Sequence, residues 1–292
     1  MGPFDQVLIE RNQGHETRAP LLRDIGAAIG RPVVSLFTSF EYDVNINDAD
    51  ADMLEGVLQE SDLSAGLALF ISSPGGSGLA AERIARICRS YSGTGEYWAI
   101  VPGKAKSAAT MVCFGASRIL MTPTSELGPV DPQLIFRGGG RFSAFNLIQS
   151  YEDLFRRAAR AKGNLEPYLQ QLQKYDARQI REMKAELELA EDISIRALQT
   201  GMMKGKSKTQ IRKAISRFLT PEQTKTHGRP IYRDEAHKSG LSIEDIDPRQ
   251  DPWVQCYELY IRTNNYVMTQ AAKCIESAAG SYQAAPPSPE EE

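Results

Sequence analysis

Short apolar runs that alternate with helix-patterned segments predict an α/β chain built on a parallel sheet. Three observations carry the prediction. Leu67–Ser72 (Leu-Ala-Leu-Phe-Ile-Ser) and Tyr97–Val101 (Tyr-Trp-Ala-Ile-Val) are mostly apolar without polar alternation, as strands covered on both faces are. Both runs are stopped by Pro and Gly, at Pro74-Gly75-Gly76 and at Pro102-Gly103. A helix-spaced segment follows each stop, and strands alternating with helices argue for parallel β-α units.

Taken in order, residues 1–30 form an N-terminal arm with a helix from Leu21 to Ile29. The main domain, 31–250, opens with a strand from Pro32 to Thr38. Asp50 to Gln59 reads as a helix with Met53, Val57 and Leu58 on one side. Strand 67–72 leads to helix 79–91, whose Leu79, Ile84, Ala85 and Cys88 share one face. Strand 97–101, helix 107–116 and strand Arg118–Met121 complete the alternation. Gly138-Gly139-Gly140 marks a loop, and a charge-rich helical insertion spans about 144–220. Within it, Lys204 to Lys208 is a basic loop without P-loop spacing. Residues 251–280 read as a C-terminal helix carrying Trp253, Tyr257, Tyr260, Ile261 and Val267. Residues 281–292 read as a disordered tail, rich in Pro and Glu from Ala284 onward.

Composition narrows the function classes. A chain of 292 residues with a net charge of −3 gives no reason to expect nucleic acid or an anionic membrane as partner. No run reaches the roughly 18 apolar residues of a membrane span, and no basic and apolar leader is visible, so a cytoplasmic protein is expected. Cys88, Cys113, Cys256 and Cys274 lack metal or Cys-x-x-Cys spacing and read as reduced core residues. Neither a metal nor a cofactor is expected.

Two motifs carry chemistry. Ile71-Ser72-Ser73-Pro74-Gly75-Gly76-Ser77 places glycines where a strand ends and a helix begins. Backbone N–H groups there can point at a ligand. Thirty residues after Ser77, Ala105-Lys106-Ser107-Ala108-Ala109 places a serine at the start of the next helix, where N–H groups are unpaired. Either segment alone reads as an ordinary turn or an N-cap serine. Together they supply a nucleophile and two sets of donors for an oxyanion, the minimum for acyl transfer through serine.

With Pro123-Thr124-Ser125-Glu126-Leu127-Gly128-Pro129 added, these motifs resemble the Clp-type and signal-peptide-peptidase-A serine peptidases. Within that group the resemblance is to the serine dehydrogenase proteinases. It runs from about Val33 to Ile246 and is dense over Leu67–Gln133 and His227–Leu241. It implies a ClpP/crotonase-like fold of stacked parallel β-α units with helical additions. It also implies Ser107 as nucleophile, with Gly75, Gly76 and Ala108 at the oxyanion hole.

The proton acceptor departs from the family pattern. Clp-type peptidases carry a histidine downstream of the serine, where this chain reads Glu126 to Gln133 and has none. Asp131 stands close to that place. His227 precedes a stretch, Tyr232 to Leu241, that resembles the segment after the Clp-type triad aspartate. The two roles can therefore have exchanged chain positions, giving Ser107, Asp131 and His227; chain order is free when geometry is kept. The competing base is a lysine, as in signal-peptide-peptidase-A enzymes, with Lys162 and Lys174 in the right zone. Lys106 beside the serine is not expected to serve, and His15 and His237 read as surface residues.

Three functions stay open at this level. The first is a cytoplasmic serine peptidase acting on peptides or unfolded segments, homo-oligomeric by resemblance, with any unfolding left to a separate ATPase partner. The second is a catalytically silent ClpP-like scaffold that has lost its base. The third is a crotonase-type enzyme acting on acyl-CoA, which the serine motif disfavours.

Overall fold

The computed structural model describes residues 2–10, 14–135 and 141–288. Seven strands form the central sheet. Across it they run Ile243–Asp245, Arg118–Met121, Tyr97–Val101, Leu67–Ser72, Val33–Thr38, Lys273–Glu276 and Ser281–Ala284. The first five are parallel, four of them expected from their apolar runs and Ile243–Asp245 not, and the last two are each antiparallel to the strand before them. This is a mixed α/β, ClpP-like architecture with a parallel-rich sheet.

Alternation within the apolar runs decides which face each residue serves. Val34, Leu36, Leu67, Leu69 and Ile71 pack with the helices Asp48–Gln59, Gly78–Tyr91 and Ala108–Phe114. Val33, Phe37, Ala68, Phe70 and Ile100 point the other way, against the helices Ala19–Ile29 and Trp253–Thr269. Both faces are covered, so apolar residues are needed at odd and even positions alike. A third cluster joins Ile148 of the helix Ala144–Arg160 to Ile180 and Met183 of the helix Ala177–Thr200.

Several boundaries differ from the sequence reading, each for a physical reason. The C-terminal helix does not run through 251–280: it ends at Thr269, and Lys273–Glu276 is a strand. That strand lies along Val33–Thr38, where the sheet offers an open row of backbone partners. Such tertiary pairing overrides a helical pattern that is only local. The tail does not begin at 281, because Ser281–Ala284 pairs with Lys273–Glu276 as the edge strand; residues 289–292 lie outside the described residues. Leu79 is not on the buried face of its helix but 60% exposed, while Ala80, Ala81 and Ile87 are buried. In the basic loop, Ser207 and Lys208 open a helix: the Ser207 hydroxyl accepts from the Gln210 N–H in a capping box. His15 is half-buried, its Nε2 bonded to the Ser277 carbonyl (2.7 Å). The glycine loop at 138–140 lies outside the described residues.

Two buried ion pairs tie the antiparallel strand to the rest of the fold. Arg18 Nε donates to Glu276 at 2.6 Å with both side chains fully buried. Lys273 bonds both carboxylate oxygens of Asp50, at 2.9 and 2.8 Å. No helix among the described residues is long and apolar enough to cross a membrane.

Candidate active site

The site forms where two adjacent parallel strands end. Ser73 follows Leu67–Ser72 and pairs with the segment that follows Tyr97–Val101. Its N–H donates to the Lys104 carbonyl, and its own carbonyl accepts from the Lys106 N–H, both at 3.0 Å. These bonds join the Pro74–Ser77 turn to the backbone that presents Ser107. Gly75 has φ +108 and Gly76 φ +148, values that L side chains rarely adopt. A Cβ on Gly75 would lie 2.6 Å from the Ser107 Cβ and 3.0 Å from the Ala108 nitrogen. Only a glycine backbone comes this close to the serine.

Ser107 has φ +50 and ψ −119, a strained conformation for a residue with a Cβ. It occupies the N-cap position of the helix Ala108–Phe114, yet its side chain makes no capping bond. The hydroxyl is therefore not spent on the helix end, and the ordinary role of an N-cap serine does not account for it. The helix itself is buried throughout, which fixes the serine from below.

Ser107 and His227 line one cavity of about 590 Å³, together with Gly76. Its wall is apolar at Met111, Leu189 and Ile193. His227 Nδ1 bonds Asp131 Oδ1 at 2.8 Å, with the carboxylate fully buried and the ring about a quarter exposed. The second oxygen of Asp131 accepts from Gln133 Nε2 at 3.2 Å. A small antiparallel pairing explains how residues 96 apart in sequence meet. Glu126 pairs with Tyr232 and Leu127 with Ile231. Beyond this pairing both chains leave the strand geometry, and the His227–Asp131 bond itself brings the two side chains together.

The other titratable candidates fall elsewhere or, like Lys106, are held by other partners. Lys162 and Lys174 are exposed and absent from the cavity lining. Lys106 lines the cavity, but its Nζ is held by Glu126 (2.7 Å) and donates to the Leu127 carbonyl (3.3 Å). Burial pulls the Lys106 pKa down, and the Glu126 carboxylate opposes the shift. His237 pairs with Asp245 at the surface. All four cysteines are buried and free. Burial pushes the thiols of Cys88 and Cys256 up to about 12 and raises those of Cys113 and Cys274 as well. None is a thiolate nucleophile at neutral pH. Among the described residues no group of three or more His, Cys, Asp or Glu could hold a metal.

Sequence reasoning did not find Asn45, Gln133 or the Leu189–Ile193 wall of the cavity. Asn45 lies in a segment without a motif, and the wall comes from a helix whose pattern reads only as amphipathic.

Residues 39–158 match the family described as ClpP-like SDH-type serine proteinase. The resemblance seen in the motifs is borne out by this match to the ClpP-like SDH-type serine proteinases. Gly75, Gly76, Ser107, Ala108 and Asp131 lie inside the family segment, and His227 lies beyond it. Two uncharacterized proteins of Methanocaldococcus jannaschii are similar to the chain. One is 29% identical over 182 residues, covering 62% of this chain and 54% of that protein. The other is 24% identical over 243 residues, covering 83% and 71%. The chain thus spans about half the length of the first relative. A solved structure of a membrane-bound stomatin-specific protease is 15% identical, covering 70% of this chain and 93% of that one, with a TM-score of 0.30. A second form of that protease, in complex with a substrate peptide, is 17% identical, covering 74% and 93%, with a TM-score of 0.29.

Proposed function

We propose that this protein is a serine peptidase that cuts peptide bonds through an acyl-enzyme on Ser107, with His227 as base and Asp131 as its orienting partner. One observation carries the reading. A strained serine with an uncommitted hydroxyl shares a cavity with an imidazole whose far nitrogen is bonded to a buried carboxylate. That is the set of roles a serine triad needs.

Each step follows from these groups. Ser107 Oγ attacks the peptide carbonyl carbon, and its proton passes to His227 Nε2, the nitrogen that Asp131 leaves free. The tetrahedral oxyanion accepts from the backbone N–H groups of Gly76 and Ala108; the Gly75 N–H, expected from the sequence to share that role, instead donates to the Ser73 hydroxyl at 3.1 Å. The C–N bond breaks as His227 returns its proton to the leaving amine. A water then gives a proton to His227 and attacks the ester, which releases the acid and restores the serine. Asp131 keeps the Nδ1 proton in place and stabilises the imidazolium. The apolar wall at Met111, Leu189 and Ile193 favours an apolar side chain beside the scissile bond. The case for a silent scaffold rests on a missing imidazole downstream of Ser107; the His227–Asp131 pair beside the Ser107 cavity supports the peptidase reading over it. Homo-oligomerisation, a separate ATPase partner and a cytoplasmic location belong to the same proposal on family resemblance.

The test is labelling by a fluorophosphonate probe at neutral pH, with Ser107→Ala and His227→Ala beside the parent. The proposal expects labelling of the parent and loss in both variants. Labelling lost only in Ser107→Ala would remove His227 as base while keeping the nucleophile. A folded parent that is neither labelled nor able to cleave fluorescein-casein would overturn the peptidase reading.

A further inference from the structure

The oxyanion turn is clamped from outside the motif by a buried ion pair. The segment Asn45–Asn47 lies against it. The Ile46 N–H donates to the Gly75 carbonyl (2.7 Å), and the Ser77 N–H donates to the Ile46 carbonyl (2.8 Å). Ile46 and Gly76 form a parallel bridge. The approach is so close that a Cβ on Gly76 would lie 2.3 Å from the Ile46 oxygen. Where Ile46 sits therefore decides where the Gly75 and Gly76 peptides sit.

Ile46 is in turn held by two charges. Lys273 Nζ donates to the Asn45 carbonyl at 2.7 Å and to both oxygens of Asp50, at 2.9 and 2.8 Å. Asp50 Oδ2 also accepts from the Asn47 N–H at 2.8 Å. The residues on both sides of Ile46 are thus bonded to one buried pair, whose side chains are 7% and 1% exposed. Lys273 enters from the antiparallel strand beside Val33–Thr38, far from Ser107 in sequence. A lone buried ion pair is a poor device for stability, since apolar residues of similar volume do as well or better. Its two bonds to one short segment, on either side of Ile46, fit a device for fixing geometry.

We infer that Lys273 and Asp50 are positioning residues for the oxyanion hole, an inference that rests on the serine peptidase reading of the site. They touch no substrate; they set the Gly75–Gly76 peptides through Asn45, Ile46 and Asn47. Misplacing a group by about 1 Å from a distance can cost on the order of 100-fold in rate.

The experiment compares the parent, Lys273→Met and the double variant Asp50→Asn/Lys273→Met. The double variant leaves no unpaired buried charge and keeps an amide oxygen for the Asn47 N–H. Turnover of fluorescein-casein, thermal stability, and amide hydrogen exchange at Ile46 and Ser77 are measured in each. The clamp predicts that the double variant loses about 10- to 100-fold in kcat, with KM changed less than twofold. Exchange at Ile46 and Ser77 quickens, at a temperature where the fold is intact. A purely structural pair would lower the melting temperature and leave kcat within twofold of the parent, which would overturn the inference. If the parent itself neither turns over casein nor takes the fluorophosphonate, the peptidase reading fails and exchange alone decides the clamp. Faster exchange at Ile46 and Ser77 in the double variant then upholds it, and unchanged exchange rejects it.

Discussion

The two halves of the candidate site are built in opposite ways. The Ser107 half is local and rigid: two neighbouring strands end, their loops bond to each other, and a fully buried helix follows the serine. The His227 half is remote and looser. Asp131 is delivered by a loop, and His227 sits between a four-residue helix and a two-residue strand, with its ring partly exposed. The sheet fixes Ser107, whereas the position of His227 follows from a short pairing between Glu126–Leu127 and Ile231–Tyr232 and from its bond to Asp131. A rigid half can be identified by its own motif. A half assembled by pairing depends on residues whose types are common.

The sharpest way to break this comparison is Asp131→Asn. If the buried carboxylate holds the tautomer of His227, the amide presents a donor where an acceptor is needed. The expected loss in kcat is on the order of 10⁴-fold, with the fold and KM for fluorescein-casein kept. A loss of less than tenfold would mean that the remote half is not catalytic, however well it is placed.

On the rigid half the corresponding test is Gly75→Ala. The added Cβ would meet Ser107 Cβ at 2.6 Å and the Lys106 carbonyl at 2.7 Å, at a φ that alanine resists. Backbone at both neighbours has to shift, so the oxyanion donors and the serine move together. The expected result is a loss of about 100- to 1000-fold in kcat, the range seen when one oxyanion donor is removed. A matching alanine at Gly163, which has open space around it, is expected to leave activity within twofold. Equal effects at the two glycines would show that backbone crowding around Ser107 has no special weight.

The same contrast sets what the sequence could reveal. Four of the five parallel strands were legible because a doubly covered strand needs a mostly apolar run, as in Leu67–Ile71; Ile243–Asp245, with two acidic residues in three, has no such run. Gly75, Gly76 and Ser107 were legible because close backbone approach admits few residue types. The strands Lys273–Glu276 and Ser281–Ala284 were not, since their place in the sheet depends on pairing with Val33–Thr38, remote in sequence, rather than on a local pattern. Lys273 was invisible for the same reason: its partner Asp50 is 223 residues away, and neither carries a motif. His227 and Asp131 were reached by comparing positions with a family pattern, and their side chains meet in a 2.8 Å bond.

The smallest expected effect tests the remaining rival to the remote half. A lysine serves as base only where burial lowers its pKa and where it can reach the nucleophile. Lys162 and Lys174 are exposed, and neither lines the cavity of Ser107. Lys162→Met and Lys174→Met are therefore expected to change the rate of fluorophosphonate labelling by less than twofold. Lys106 needs separate treatment, because it lines the cavity and burial does pull its pKa down. Its ammonium is held by Glu126 and the Leu127 carbonyl, so it braces the strand that carries the chain toward Asp131. Lys106→Met is expected to slow labelling by disturbing that strand, and Glu126→Gln, which leaves the ammonium free of its counter-charge, to slow it less. A lysine base would behave the other way: removing Glu126 would release Lys106 to take the serine proton, and labelling would speed up.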